Sequence, residues 1–452
     1  MRLSCLFLLI IFASFSSAHA DDISHKPGIM TLLDAHQMAL QHDATIRAAR
    51  SDNIVQQEEI NKAKAGFLPQ ARLSLYQGRS DTDSRTPGYF GTTNHSHSAY
   101  DSKNYSLSIR QPIFNMASYA QYSQSKSEAR RSDAVLDGTI NSLISRVSGA
   151  YLDMLLSTEN IQYLEAQKSS IEGQLRQAEA RFKSGYGTVT EISEAEANLA
   201  SSGAKETEFL NALENAKRAI ENLTGVYPNQ FLRLDPDKLS LELPNPERVE
   251  DWIVSGLEKN PDIIADRFAQ ESANYEVDKN QSGHYPTLDL VASRTDTESD
   301  TNYSIGSKYS TDSVGLQLNV PLYLGGYVNA SVRQATAKLE EARDKSDEHK
   351  RDVTTNIRKY FNEVLNGVSR IKAFIKAVNS NEVALAGTQK GFLAGIRTNV
   401  EVLNAQEKLF SAKRDLAKER YQLIYNRILL KQYSGMLKDK DIQEISDLFI
   451  IQ

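Results

Sequence analysis

The chain is poor in cysteine and tryptophan, and after its first twenty residues it has no long apolar run. Of 452 residues, one is cysteine (Cys5) and one is tryptophan (Trp252). Cys5 falls in the leader described below, so the mature chain has no thiol for a disulfide, a nucleophile or a thiolate metal site. Cys5 also lies before the leader's apolar run, the wrong place for a lipid-modified N-terminus. Beyond the leader no stretch approaches the ~20 apolar residues of a spanning helix. A net charge of −6 argues against a general nucleic-acid binder. No nucleophile–base arrangement, Gly-rich phosphate loop or metal-ligand spacing occurs, so neither an enzyme nor a cofactor or metal site is expected. His95 and His97 sit in a polar stretch and read as solvated side chains rather than a metal pair.

What is present begins with a secretory signal. Arg2 is its charged start, Leu6 to Phe15 its apolar run, and Ala18-His19-Ala20 its cleavage site, which puts the mature start at Asp21. An exported chain without spanning helices either stays free in a periplasm or crosses a membrane as β-strands.

The mature chain reads as one plan used twice. The first repeat covers 21–230 and the second 248–437, with a proline-rich connector at 231–247 and a tail at 438–452. Each repeat opens with a helical pattern, Thr31 to Ala65 and Arg248 to Ser282. Pro69 and Pro286 end these patterns at a separation of 217 residues, and the period then changes to two. Strands are expected at about 69–79 and 103–113, and again at about 286–295 and 312–321. Polar stretches at 78–103 and 295–312 separate the members of each pair and are expected as outer loops. Very long helical patterns follow. Apolar residues step by three and four through Leu136, Ile140, Leu143, Val147, Ala150 and Met154, a sustained heptad. Asn115 to Lys183 as one helix would be roughly 100 Å long.

Each long pattern folds back once. Hairpin 115–224 has its tip at 184–190, and hairpin 328–437 has its tip at 392–400. Gly185 and Gly395, with Gly187, supply the turns, since glycine accepts the left-handed backbone that ends a helix. Thr188, Thr190 and Thr398 are candidate caps for the returning helices, with Glu191 or Glu401 in the first turn. Gly185 and Gly395, like Glu191 and Glu401, stand 210 residues apart.

Four strands, apolar on one face, are too few to close a barrel, for which ~8 is the minimum. A soluble sheet packed on a core is the other use of such strands, but the helices already consume their own apolar seams. Two copies would give eight strands and a filled lumen; three would give twelve and an open pore. The fold expected is mainly α with a membrane β-barrel: a 12-stranded barrel shared by three chains and continued by an α-barrel of long hairpins. The alternative is a periplasmic coiled-coil adaptor with a small β domain and no pore.

The chain resembles the TolC family of outer-membrane efflux proteins. The matching residues are Val320-Pro-Leu-Tyr-Leu-Gly-Gly-Tyr-Val-Asn329, His284-Tyr-Pro-Thr-Leu-Asp-Leu290, and Arg181-Phe-Lys-Ser-Gly185 with its counterpart at the second tip. The resemblance implies a homotrimer in the outer-membrane lipid, with helices projecting into the periplasm and closed at their tips. It also implies a periplasmic adaptor and an inner-membrane transporter as partners, for export of drugs or unfolded protein. By the same resemblance Arg397 matches a latch arginine, with Thr190 and Glu191 as its partners, and Glu401 matches an acidic ring position at the pore constriction. Two positions depart from the family pattern: Phe392 stands where the family has a tyrosine, and Asn404 where it has a second acidic ring residue.

Overall fold

The structure, a computed structural model, describes residues 30–229, 232–301 and 304–451. The expected signal at 1–20 lies outside the described residues.

Two helices open each repeat where the periodicity predicts one. Helices α1 (Leu32–His42) and α2 (Ala44–Lys64) part at Asp43, whose backbone is extended (φ −59°, ψ 122°). Asp43 Oδ1 accepts from the Ile46 N–H at 2.9 Å and so starts α2, while Oδ2 accepts from Arg146 Nη1 at 3.0 Å. In the second repeat α5 (Val249–Lys259) and α6 (Pro261–Gln281) part at Asn260, whose side chain accepts from the Asp262 N–H at 2.9 Å. Pro261 follows at the first helical turn, where its missing N–H costs nothing. Asp43 and Asn260 stand 217 residues apart, the separation of Pro69 and Pro286. The single helices expected over 31–65 and 248–282 are therefore corrected: a side-chain cap breaks the backbone without breaking the apolar period.

The long hairpins form as expected. Helix α3 (Met116–Lys183) has 68 residues, starts on an Asn115 cap and returns as α4 (Val189–Thr224). Gly225, at φ +76°, ends α4. Helix α7 (Tyr327–Leu393) has 67 residues and returns as α8 (Asn399–Tyr433). Both long members run roughly 100 Å without a break.

Four strands form one antiparallel sheet in the order β1-β2-β4-β5: β1 (Gln70–Pro87), β2 (Thr93–Phe114), β4 (Thr287–Thr301) and β5 (Ser304–Asn319). They are 15 to 22 residues long rather than about ten. The stretches 78–103 and 295–312, expected as outer loops, are mostly ladder. Hydrophobic alternation stops there but backbone pairing does not. Pro112 lies inside β2 instead of ending it, at a register irregularity between Pro112 and Phe114 that accommodates its missing N–H.

The register sorts side chains to two faces. One carries Leu73, Leu75, Tyr105, Leu107, Ile109, Leu290, Leu316 and Leu318, all exposed in the single chain. The other carries Arg72, Ser74, Ser106, Ser108, Arg110, Asp289, Ser293, Thr295 and Ser313. On that second face Arg110 Nη2 donates to Asp289 Oδ2 at 2.6 Å.

The apolar core lies along the long helices. One cluster joins α1, α3, α4 and α8 through Leu32, Leu143, Tyr151, Met154, Ile220 and Ile424. The other joins α5, α7 and α8 through Trp252, Ile357, Phe361, Ile371 and Leu423. Trp252 is a packing residue at the connector, its Nε1–H donating to the Pro246 carbonyl at 2.8 Å. The tail is built into the same region. Strand β3 (Leu232–Leu234) of the connector pairs with β6 (Phe449–Ile451), and α9 (Asp439–Ser446) packs beside α1.

Candidate functional site at the hairpin tips

The two tip turns share one backbone construction. At the first, Gly185 has φ +77° and its N–H bonds Phe182 O at 3.0 Å; Tyr186 and Gly187 N–H both bond Arg181 O, at 2.9 and 3.1 Å. At the second, Gly395 has φ +75° and bonds Phe392 O at 3.0 Å; Ile396 and Arg397 N–H both bond Gly391 O, at 2.9 and 3.2 Å. These bonds satisfy the last carbonyls of α3 and α7, and the positive φ requires glycine.

The side chains break the symmetry. The first tip has arginine at 181 and glycine at 187; the second has glycine at 391 and arginine at 397. A Cβ on Gly187 would stand 2.8 Å from the Phe182 nitrogen, and one on Gly391 would stand 2.8 Å from Arg397 Cγ. Each tip therefore holds one arginine, at opposite ends of the same turn.

The two arginines find different partners. Arg397 Nη1, in the turn just before the Thr398 cap, donates to Glu401 Oε1 in the first turn of α8 at 2.5 Å. Glu401 Oε2 accepts from Thr398 N–H at 2.8 Å and Thr398 Oγ1–H at 3.2 Å, while Thr398 Oγ1 accepts from Glu401 N–H at 3.3 Å, completing a capping box. The Thr398 N–H, then Arg397, hold the Glu401 carboxyl below the usual carboxylate range. The bond from Arg397 to Glu191 suggested by the family resemblance is not formed within this chain, because Glu401 at i+4 takes the guanidinium first. Arg181 instead crosses between hairpins. Its guanidinium lies 4.7 Å from the centre of the Phe392 ring, which is 7% exposed. Phe392 thus ties the tips together through its π-face, with no hydroxyl needed.

Glu191 is left over. Thr188, not Thr190, caps α4, accepting from Glu191 N–H at 3.3 Å; Thr190 is exposed on the first turn. Glu191 Oε2 and Glu194 Oε2 are shut off from solvent without a hydrogen-bond partner within the chain. Asn404 is exposed, three residues beyond Glu401 on the same helix face.

Next to the tips the seam between the hairpins is polar. Gln167 and Gln174 of α3, and Asn399 and Gln406 of α8, are buried at heptad spacing. Gln406 Nε2 donates to Ser170 Oγ at 2.5 Å, yet Gln167 Oε1, Gln174 Oε1, Gln406 Oε1 and Asn399 Nδ2 have no partner. Each such buried group costs about 1–3 kcal/mol. These unpartnered groups set the seam apart from the leucine seam of Leu416, Leu423 and Leu430, where α8 packs on α5 and α7. The sequence reading missed Arg181 and this polar seam. The seam's signal was two polar pairs at heptad spacing, Gln167 with Gln174 and Asn399 with Gln406.

The comparisons with known proteins agree with this architecture. The family described as "Outer membrane efflux protein" matches residues 35–226 and 252–436. The chain is 30% identical over 452 residues to the "Proteases secretion protein PrtF" of Dickeya chrysanthemi, covering 99% of this chain and 95% of that one. It is 29% identical over 428 residues to "Outer membrane protein TolC" of Escherichia coli, covering 92% and 84%. Among solved structures, CusC superposes with a TM-score of 0.77 at 16% identity, covering 90% of this chain and 92% of that one. The CmeC outer membrane channel of Campylobacter jejuni superposes at 0.76 and 17% identity, covering 98% of each. The chain belongs to the outer membrane efflux protein family.

Proposed function

We propose that three copies of this chain close a twelve-stranded barrel in the outer membrane and join their hairpins into a periplasmic tunnel. That duct serves as the passive exit of a tripartite efflux or type I secretion system. A periplasmic adaptor and an inner-membrane transporter complete the system, and the tips act as the gate. In the trimer three Glu401 carboxylates come together near the axis, with Asn404 beyond them. Such a ring favours cations, because like charges brought together demand a counter-charge. Glu191, unpartnered within one chain, is a candidate acceptor for a neighbouring copy.

The observation that carries this reading is the sheet. It exposes an apolar face of Leu73, Leu75, Leu107, Ile109, Leu290, Leu316 and Leu318, interrupted at the level of Leu107 and Tyr105 by Arg294, Asp296 and Asp312, and among the described residues it ends in two unpaired edges, β1 and β5. In water both are liabilities; in a bilayer the face meets lipid and the edges pair between copies. Purification from outer membranes tests it. Detergent-solubilised trimers that conduct ions in planar bilayers are expected. A monomer soluble without detergent overturns it.

A further inference from the structure

The β1–β2 ladder does not stop at the top of the sheet. Pairing between β2 and β4 begins at Ser102 opposite Ser299, so β1 and β2 beyond that level pair only with each other. The register from Gln70–Arg110 to Pro87–Thr93 has no irregularity, so the two faces defined in the barrel continue along this ribbon. From Gly78 to Thr86 it adds about 25 Å.

The composition of its two faces differs sharply. On the face continuous with Leu73, Leu75 and Leu107 lie Arg79, Asp81, Asp83, Arg85, His95, His97 and Asp101. All the ribbon's charged and histidine side chains between 79 and 101 are there, and His97 Nδ1 stands 2.8 Å from Asp83 Oδ1 across the strands. On the face continuous with Ser74 and Ser106 lie Ser80, Thr82, Ser84, Thr86, Asn94, Ser96, Ser98 and Tyr100. That face has no charge, and Ser80, Thr82, Ser84, Ser98 and Tyr100 are half-buried while the charged residues opposite are exposed. A loop with no geometric task has no reason to segregate charge from hydroxyl residue by residue. A wall with water and lipid headgroups outside and a conduit inside does.

We infer that the β1–β2 ribbon carries the wall of the duct beyond the bilayer, with its uncharged hydroxyl face as the lining. The inference rests on the trimeric channel proposed above. The test uses single cysteines in the purified full chain, whose only native cysteine is Cys5. Ser84→Cys and Ser96→Cys place thiols on the lining, Asp83→Cys and His97→Cys on the outer face, and Ser106→Cys inside the barrel. Trimers in planar bilayers are treated with a negatively charged methanethiosulfonate. A stepwise loss of conductance is expected at Ser84, Ser96 and Ser106, with none at Asp83 or His97. Response at Ser106 alone, or equal response on both ribbon faces, overturns the extended wall and leaves the channel standing. Silence at Ser106 as well overturns the channel itself, and the inference with it.

Discussion

Gly187 and Arg397 occupy the same place in the two tip turns, each bonding through its N–H to the carbonyl six residues back, yet one has no side chain and the other a guanidinium. That difference decides the electrostatics of both tips. With arginine at 397, Glu401 is held by three donating groups; with glycine at 187, Glu191 has no cation one turn behind it.

The Arg181–Phe392 contact joins the hairpins, so weakening it should open the gate proposed at the tips. A cation–π pair contributes about 0.5–2 kcal/mol. Arg181→Gln and Phe392→Leu are each expected to raise conductance in planar bilayers. The double variant should gain little over the stronger single one, because both remove one interaction. Full additivity would show that the two side chains do not act as a pair.

Arg397 neutralises Glu401 from 2.5 Å. Removing it should bare the proposed carboxylate ring, so Arg397→Ala is expected to raise the cation-to-anion permeability ratio, read as the reversal potential in a salt gradient. Glu401→Gln should lower it. The pair is an exposed i,i+4 contact, so the thermal midpoint should hardly move. A selectivity indifferent to both substitutions would remove Glu401 from the pore.

Acid should loosen the second tip before the first. The Glu401 carboxyl is depressed in the folded chain. Its stabilisation is therefore complete above the unfolded pKa and is lost as pH falls through the lower folded value. Hydrogen exchange over 392–404, corrected for intrinsic rates, should speed up on acidification, while the Thr188 cap, which uses no carboxylate, changes less. Glu401→Gln should abolish the difference. Equal acceleration at both tips would count against the capping box as its cause.

Asp43 performs two tasks, capping α2 and pairing with Arg146. Asp43→Ala loses the cap and leaves Arg146 without its partner, at a cost of about 1–2 kcal/mol for the cap alone. Asp43→Asn keeps a cap, as Asn260 does in the second repeat, and should recover most of the loss in thermal unfolding. If Asn and Ala prove equally destabilising, the ion pair and not the cap holds this corner.

Much of the fold was legible because its signals are local. The heptads from Leu136 to Met154 specify helix, and Gly185, Gly225 and Gly395 mark where helices end. The nearly constant separations, 217 residues from Pro69 to Pro286 and 210 from Gly185 to Gly395, expose the duplication. The strand tops were not legible. Arg79, Asp81, Asp83 and Arg85 do alternate with Ser80, Thr82 and Ser84, but charge against hydroxyl is silent on a hydrophobic scale. Asp43 and Asn260 were missed for a related reason, since a cap interrupts backbone conformation and leaves the apolar period intact.

The sequence by itself determined the two hairpins, their length and the turns at their tips, because periodicity and glycine act within a few residues of themselves. Only the tertiary structure decided which partner each arginine takes. Arg397 meets a glutamate four residues on in its own hairpin, whereas Arg181 meets a phenylalanine 211 positions away. Only the tertiary structure decided, too, that the hydroxyls of β1 and β2 share a face with Ser74, Ser106 and Ser108 lower in the sheet. Both depend on which surfaces packing and strand register bring together, and no stretch of chain carries that information on its own.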